Sequence, residues 1–316
     1  MRSVTGFKTL IGLLLISLSF SAQEEDLLSL IAETDQGPKK VYATFKTMRI
    51  ANAQTIETVK KKHLDFRILH RFGNIYDATL PNPINNTFQT FFGFDQVTDI
   101  RFSFDYGITD KLCVGIGRSK LNKLFDGNLK WRLLEQTSDF KIPVSIAVFE
   151  SVGYSFAPTN ELYAGVQKDF ETDERHRFSY CTQLIIASKI TDWLSLELLP
   201  TYMYRNFIKE SYNSNSGEAD VNGFFSLGFG GRLKLSKRFS IIGDYFFNFA
   251  PYYHNNPSVS LPLALGFEIE TGGHVFSLLF TNASGIIENN YLPYTTDTWS
   301  DGQVKFGFCI SRTFSL

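Results

Sequence analysis

The chain has 316 residues, with 31 Lys and Arg against 32 Asp and Glu and a formal net charge of -1 at pH 7. That balance argues against a nucleic-acid binder, which needs an excess of cations to neutralise phosphate. Aromatic residues make up 15%, with 31 Phe and 14 Tyr, more than a soluble core usually requires, while the mean hydropathy of -0.09 is that of a chain mixing apolar and polar surfaces.

Residues 1–22 read as an export signal. Arg2 and Lys8 supply the positive region, Leu10 to Phe20 the apolar run, and Ser19-Phe20-Ser21-Ala22 a small-residue exit. The run is too short for a membrane helix, and no cysteine stands at the junction to accept a lipid. Without Arg2 and Lys8 the mature chain keeps 29 basic residues against 32 acidic ones. Residues 23–62 form an amino-terminal extension with Gln36-Gly37-Pro38, an extended stretch at Val41 to Ile50 and the basic run Lys60-Lys61-Lys62. This extension is expected to be ordered only by contact with the rest of the chain, as a plug.

Beyond it, short alternating segments are separated by turn chemistry. Strands are expected near 63–72, 99–106, 111–118, 128–135, 143–151, 175–188, 193–206, 221–235, 239–249, 261–270, 274–281 and 303–316. Apolar rows are legible in most, for example Ile100, Phe102, Phe104 and Tyr106, or Leu261, Leu263, Leu265, Phe267 and Ile269, and the partner rows are small or charged. The last segment alternates most cleanly. Val304, Phe306, Phe308, Ile310, Phe314 and Leu316 lie on one side, and Lys305, Gly307, Cys309, Ser311, Thr313 and Ser315 on the other. One apolar and one polar face suit a wall between lipid and a lumen.

Tight links at Gly107 to Lys111, Lys189 to Asp192, Ser236 to Arg238 and Thr271 to Gly273 alternate with long ones near 73–98, 152–174, 207–220, 250–260 and 282–302. Short turns at one end and long loops at the other are the habit of bacterial outer-membrane barrels. The fold expected is therefore an all-β, antiparallel transmembrane β-barrel of twelve strands over residues 63–316. A count of fourteen, recruiting Val41–Ile50 and Leu162–Lys168, competes with it but disturbs the alternation.

Several segments resemble a family: His70-Arg71-Phe72-Gly73, Asp105-Tyr106-Gly107-Ile108-Thr109-Asp110, Val114-Gly115-Ile116-Gly117-Arg118-Ser119, Asp126-Gly127-Asn128-Leu129-Lys130, Glu270-Thr271-Gly272-Gly273-His274-Val275-Phe276 and Ile310-Ser311-Arg312-Thr313-Phe314. Together, over roughly residues 38 to 316, they resemble an outer-membrane β-barrel family of the Bacteroidota known only as a domain of unknown function. The resemblance implies an outer-membrane barrel and carries over no catalytic or binding residue.

Candidate chemistry is sparse. The charged residues of inward parity are Asp65, Arg67, Arg101, Asp105, Lys130, Arg132, Glu197, Arg232, Lys234, Asp244, Glu268, Glu270 and Lys305. Buried charges need partners, so these residues are expected either to pair and stiffen the lumen or to line a path for a small polar solute. His70 and His274 invite a metal, yet the topology sets them at opposite ends of the barrel, and both are expected to be hydrogen-bonded interface histidines. Cys113, Cys181 and Cys309 lie far apart within strand patterns and suggest packing, not a disulfide or metal framework. Gly228, Gly230 and Gly231 are expected to allow curvature or the close approach of a plug. No Gly-x-Ser-x-Gly elbow occurs, and no cofactor or catalytic residue is expected. The reading is an outer-membrane structural or narrow-channel protein of a Gram-negative cell, in contact with lipid, with a small polar solute or a periplasmic or membrane partner. A soluble periplasmic β-protein and an outer-membrane hydrolase are the alternatives.

Overall fold

The computed structural model describes residues 39–167, 170–271 and 274–316, so the export signal and residues 23–38 lie outside the described residues. The strands are β1 (His63–Asn74), β2 (Val97–Gly107), β3 (Leu112–Ser119), β4 (Leu124–Leu134), β5 (Ser145–Ser155), β6 (Phe178–Lys189), β7 (Leu194–Arg205), β8 (Gly223–Lys234), β9 (Phe239–Asn248), β10 (Leu263–Thr271), β11 (His274–Thr281) and β12 (Lys305–Ser315). Each pairs with its neighbours in chain order, and β12 returns to β1 to close a twelve-stranded barrel. Ile68 of β1 stands between Ile310 of β12 and Phe102 of β2 in an antiparallel register that holds from Leu64 to Arg71 and shifts on both sides just beyond it. Closure leaves no unpaired strand edge.

Among the described residues twelve strands form and not fourteen, and Lys168 of the competing count lies outside them. Residues 41–50 and 162–167 contribute no strand to the sheet. β4 starts at Leu124, earlier than its local sequence suggests, because Gly127 and Asn128 resemble a turn. Both instead sit in the ladder, Gly127 between Ile116 and Val152. Pairing on both sides overrides a weak local preference.

The outward row is apolar and uncovered: Ile116 is 65% exposed, Phe225 64% and Phe229 49%. Large apolar side chains around a closed barrel are stable only against lipid. The inward row divides into two walls. β1 to β4 point Asp65, Arg67, Arg71, Asp99, Arg101, Asp105, Asp126 and Lys130 inward, all buried. β5 to β9 point Phe149, Ile185, Leu199, Met203, Ile242 and Phe246 inward, also buried. Glycine makes room for the charges. A Cβ at Gly115 would strike the Asp105 carboxylate, and one at Gly117 the Arg101 guanidinium. On the apolar side, Gly228 faces the Phe246 ring and Gly230 the Glu197 side chain. The space at both is thus taken by neighbouring strands and not by a plug.

Candidate functional site

Eight strands enclose little more than their own side chains, so twelve leave a lumen to be filled. Two segments fill this one, entering from opposite ends. From the short-turn end comes a hairpin between Lys40 and Lys62. Its first leg is held by Lys40, which pairs with Glu135 at 2.7 Å. Its second is held by Asp110, whose carboxylate accepts the Lys61 amide at 3.0 Å. The chain reverses at 50–53, where the Ile50 amide donates to Ala53 at 3.1 Å and the Thr55 amide to Met48 at 2.9 Å. Phe45, Ile50, Ala53 and Ile56 pack into the apolar wall.

The barrel wall grips this hairpin with two charged side chains. Asp244 of β9 accepts the amides of Asn52 and Ala53 at 2.6 and 3.0 Å on Oδ2, and the Asn52 side-chain amide at 2.9 Å on Oδ1. A carboxylate that collects three donors at a turn is a strong anchor. Lys130 of β4 donates to the carbonyls of Met48, Thr55 and Glu57 at 3.0, 2.9 and 3.3 Å, so its three protons meet backbone oxygen. Burial raises the Glu57 carboxyl above its ordinary range, opposed by the Phe45 amide at 3.0 Å and by the charges of Arg132 and Lys130.

From the long-loop end the β11–β12 connection folds inward and carries a short helix, Glu288–Tyr294, with Pro293 inside it. Asn289 bridges two strands, accepting from Ser151 Oγ and donating to Ser179 Oγ, each at 2.9 Å. Asn290 accepts from Asn122 at 2.9 Å. The Ile286 amide donates to Asp99 at 3.2 Å, and Tyr291 lies against Phe246 with ring centres 5.2 Å apart.

The two inner segments meet. Arg49 of the hairpin donates from Nη2 to Glu288 Oε1 at 2.6 Å and to the Asn52 carbonyl at 2.7 Å, and both charged side chains are buried. Arg71 of β1 joins wall, hairpin and loop, donating to Ala283 at 3.0 Å and also to Gly285 and the Asn52 side chain. Beside this junction a space of about 20 Å³, between Met48, Arg67, Arg101 and Asp105, is the size of a single water.

The inward charges expected from the sequence are distributed as follows. Arg67 pairs with Asp65 at 3.2 Å, and Asp105 stands directly across from Asp65 on β2. Arg101 holds Asp126 with two parallel bonds, Nη2 to Oδ2 at 2.6 Å among them. Arg232 bonds Glu268 at 2.7 Å and Glu270 at 2.8 Å, and Glu270 also pairs with Lys46 of the hairpin at 2.9 Å. Arg132 donates to Thr58 of the hairpin and to Asp110, each at 2.9 Å. Lys305 pairs with Asp297 of the inner loop and donates to Asn282. Glu197 is buried with neither carboxylate oxygen hydrogen-bonded. Lys234 departs from the lumen assignment: its parity is inward, but it ends β8 at the rim and is exposed.

His70 of β1 is level, through Phe308 of β12, with Leu278 of β11, so His274 at the start of β11 lies nearer the short-turn end and separate from it. Where a hydrogen-bonded histidine is expected, His70 Nδ1 has no partner. Its ring faces outward, stacked on Phe308 at 5.4 Å. Among the described residues no three His, Cys, Asp or Glu side chains converge as metal ligands.

The sequence reading misses Arg49, Arg71, Asp126 and Glu288. Arg71 and Asp126 share the parity of residues it selects, but each lies close to the expected end of its strand. Arg49 and Glu288 lie in segments without strand periodicity.

A closed barrel with an apolar outer row and a filled lumen is a membrane-bound β-barrel. The model of the membrane bound beta barrel domain family (DUF5777) matches residues 45–314, and the chain belongs to that family. The matched region begins within the hairpin, ahead of β1. No curated protein matches the chain. Among solved structures it is similar to the NanC porin, at 9% identity over 80% of this chain and 100% of that one, with a TM-score of 0.46. It is also similar to the KdgM porin in complex with disordered oligogalacturonate, at 9% over 80% and 99%, TM-score 0.43. A third is LpxR from Salmonella typhimurium, at 8% over 80% and 100%, TM-score 0.34.

Proposed function

We propose that the protein is an outer-membrane barrel of a Gram-negative cell, exported by a cleaved leader at residues 1–22, and a narrow channel for small polar solutes that is closed at rest. The short turns, the start of the hairpin at Lys40 and the end of β12 then face the periplasm and the long loops face outward. The observation that carries this reading is the junction at Arg49 and Glu288, where a hairpin from one end and a loop from the other meet inside the wall. A purely structural barrel has no need of a lumen filled by separable segments, whereas a gate does. The hairpin is the mobile half in this reading, because its two legs leave through the same end.

The test is conductance in planar bilayers. Deleting Gln36 to Lys61 while retaining the leader should raise single-channel conductance and leave a barrel that still migrates differently before and after boiling. Porin-like conductance of the intact protein, or a folded deletion variant with unchanged conductance, would overturn the gate.

A further inference from the structure

Above the inner helix, at the long-loop end, a vestibule of about 810 Å³ opens between the loops. It lies within the size range of small-molecule sites, and although the inner helix forms its floor, its cations take no part in the contacts that close the lumen. Five cations face it, Lys120, Lys123, Arg177, Arg205 and Lys209, against two carboxylates, Glu161 and Asp220, and Arg177 is met from just outside the lining by Glu174 at 3.0 Å, which leaves two cations without a carboxylate. Glu161 is engaged by Lys123 through two bonds of 2.8 Å, and Asp220 by Arg205 at 2.9 Å. Lys120 and Lys209 have no carboxylate partner among the described residues. Their hydrogen bonds go to the backbone oxygens of Val97 and Glu161.

Arg205 stiffens the vestibule wall. It is buried, paired with Asp220 and donating to the Val221 carbonyl at 2.7 Å, and its guanidinium lies 5.4 Å from the Tyr294 ring. The cations free to meet a ligand anion are therefore the two lysines. The remaining lining combines hydroxyls and amides, including Ser211 and Asn290, with the aromatic side chains Phe207 and Tyr294. Donors and acceptors of that kind suit hydroxyl groups, and the aromatic faces suit the C–H face of a sugar ring.

We propose that this vestibule binds a small polyhydroxylated carboxylate, a sugar acid of one or two rings, with the carboxylate at the cations and the hydroxyls at the amides. The proposal gives the channel reading its solute class, but its test needs no opening of the lumen. Intact protein in detergent is titrated calorimetrically with glucuronate, glucose and glucosamine. Glucuronate should bind saturably, with glucose and glucosamine at least about tenfold weaker, because only the carboxylate is attracted by the two unpaired cations. Lys120→Gln with Lys209→Gln should weaken glucuronate by about thirtyfold, since two close unit charges facing water are removed together, and Glu161→Gln should tighten it. Both lysines are exposed, and the shift in migration on boiling checks folding. Absence of saturable glucuronate binding, glucose equal to glucuronate, or a double variant unchanged in affinity would each overturn the site. The deletion that tests the gate leaves the vestibule residues in place, so failure of the gate and failure of the site are separate results.

Discussion

Arg49 and Glu288 are 239 positions apart and meet at 2.6 Å in the middle of the barrel, each carried there on a segment that is not part of the wall. Removing one member of a buried pair leaves the other charged and unpartnered, at a cost of roughly 3–5 kcal/mol, while replacing both with apolar residues of similar volume is often neutral. We predict that Arg49→Met or Glu288→Leu alone lowers the temperature at which the folded band is lost, and that the double variant regains most of that loss. A double variant no better than the worse single variant would show that the two side chains do not act as a pair.

Two buried carboxylates should respond in opposite ways. Asp244 collects three donors from the hairpin tip, so Asp244→Asn puts a donor where an acceptor is required and should cost about 1–3 kcal/mol. Glu197 has neither oxygen bonded, so Glu197→Gln should leave stability unchanged or raise it. Thermal melts of the two variants in one detergent provide the comparison.

The lipid-facing row is tested by Phe229→Arg near the middle of β8, which should cost about 2–4 kcal/mol in a bilayer and reduce folded yield in vesicles. Phe229→Leu serves as the apolar control. Equal yields would mean that the row does not face lipid. Lys305→Gln would not serve as a neutral lumen-side control, because that change strips Asp297 of its partner.

Glu57 gives the hairpin a dependence on pH. Its carboxyl is raised by burial, so the seated hairpin favours the protonated acid. The seat is firmest below the ordinary carboxylate range and weakens as pH rises from there through the raised value. Glu57→Gln should remove this part of the pH dependence, measured as protease sensitivity of residues 40–62 from acid to neutral pH. A wild-type hairpin that loosens on acidification would reverse the sign and refute the assignment.

Much of the wall could be read from the sequence and little of its contents. In β1, β2 and β4 the outward apolar rows contrast with charged inward rows, so parity and register are plain. In β5 to β9 the contrast fades, because Phe149, Ile185, Leu199 and Met203 point inward and are as apolar as their lipid-facing neighbours. What they pack against is Phe45, Ile50 and Ile56, on a segment with neither strand nor helix period. The gripping residues divide in the same way. Asp244 and Lys130 carry strand parity and can be found by it, whereas Glu288 sits in a loop helix whose burial depends on a hairpin more than two hundred residues earlier.

The division of the lumen into a charged wall and an apolar wall has a consequence for an emptied barrel. With the hairpin withdrawn, water would wet the side lined by Asp65, Arg67, Arg101, Asp105 and Asp126, while the side lined by Phe149, Ile185, Leu199, Met203 and Phe246 would shed it. An emptied barrel would then be wet along one side only and not along the axis of a uniform tube.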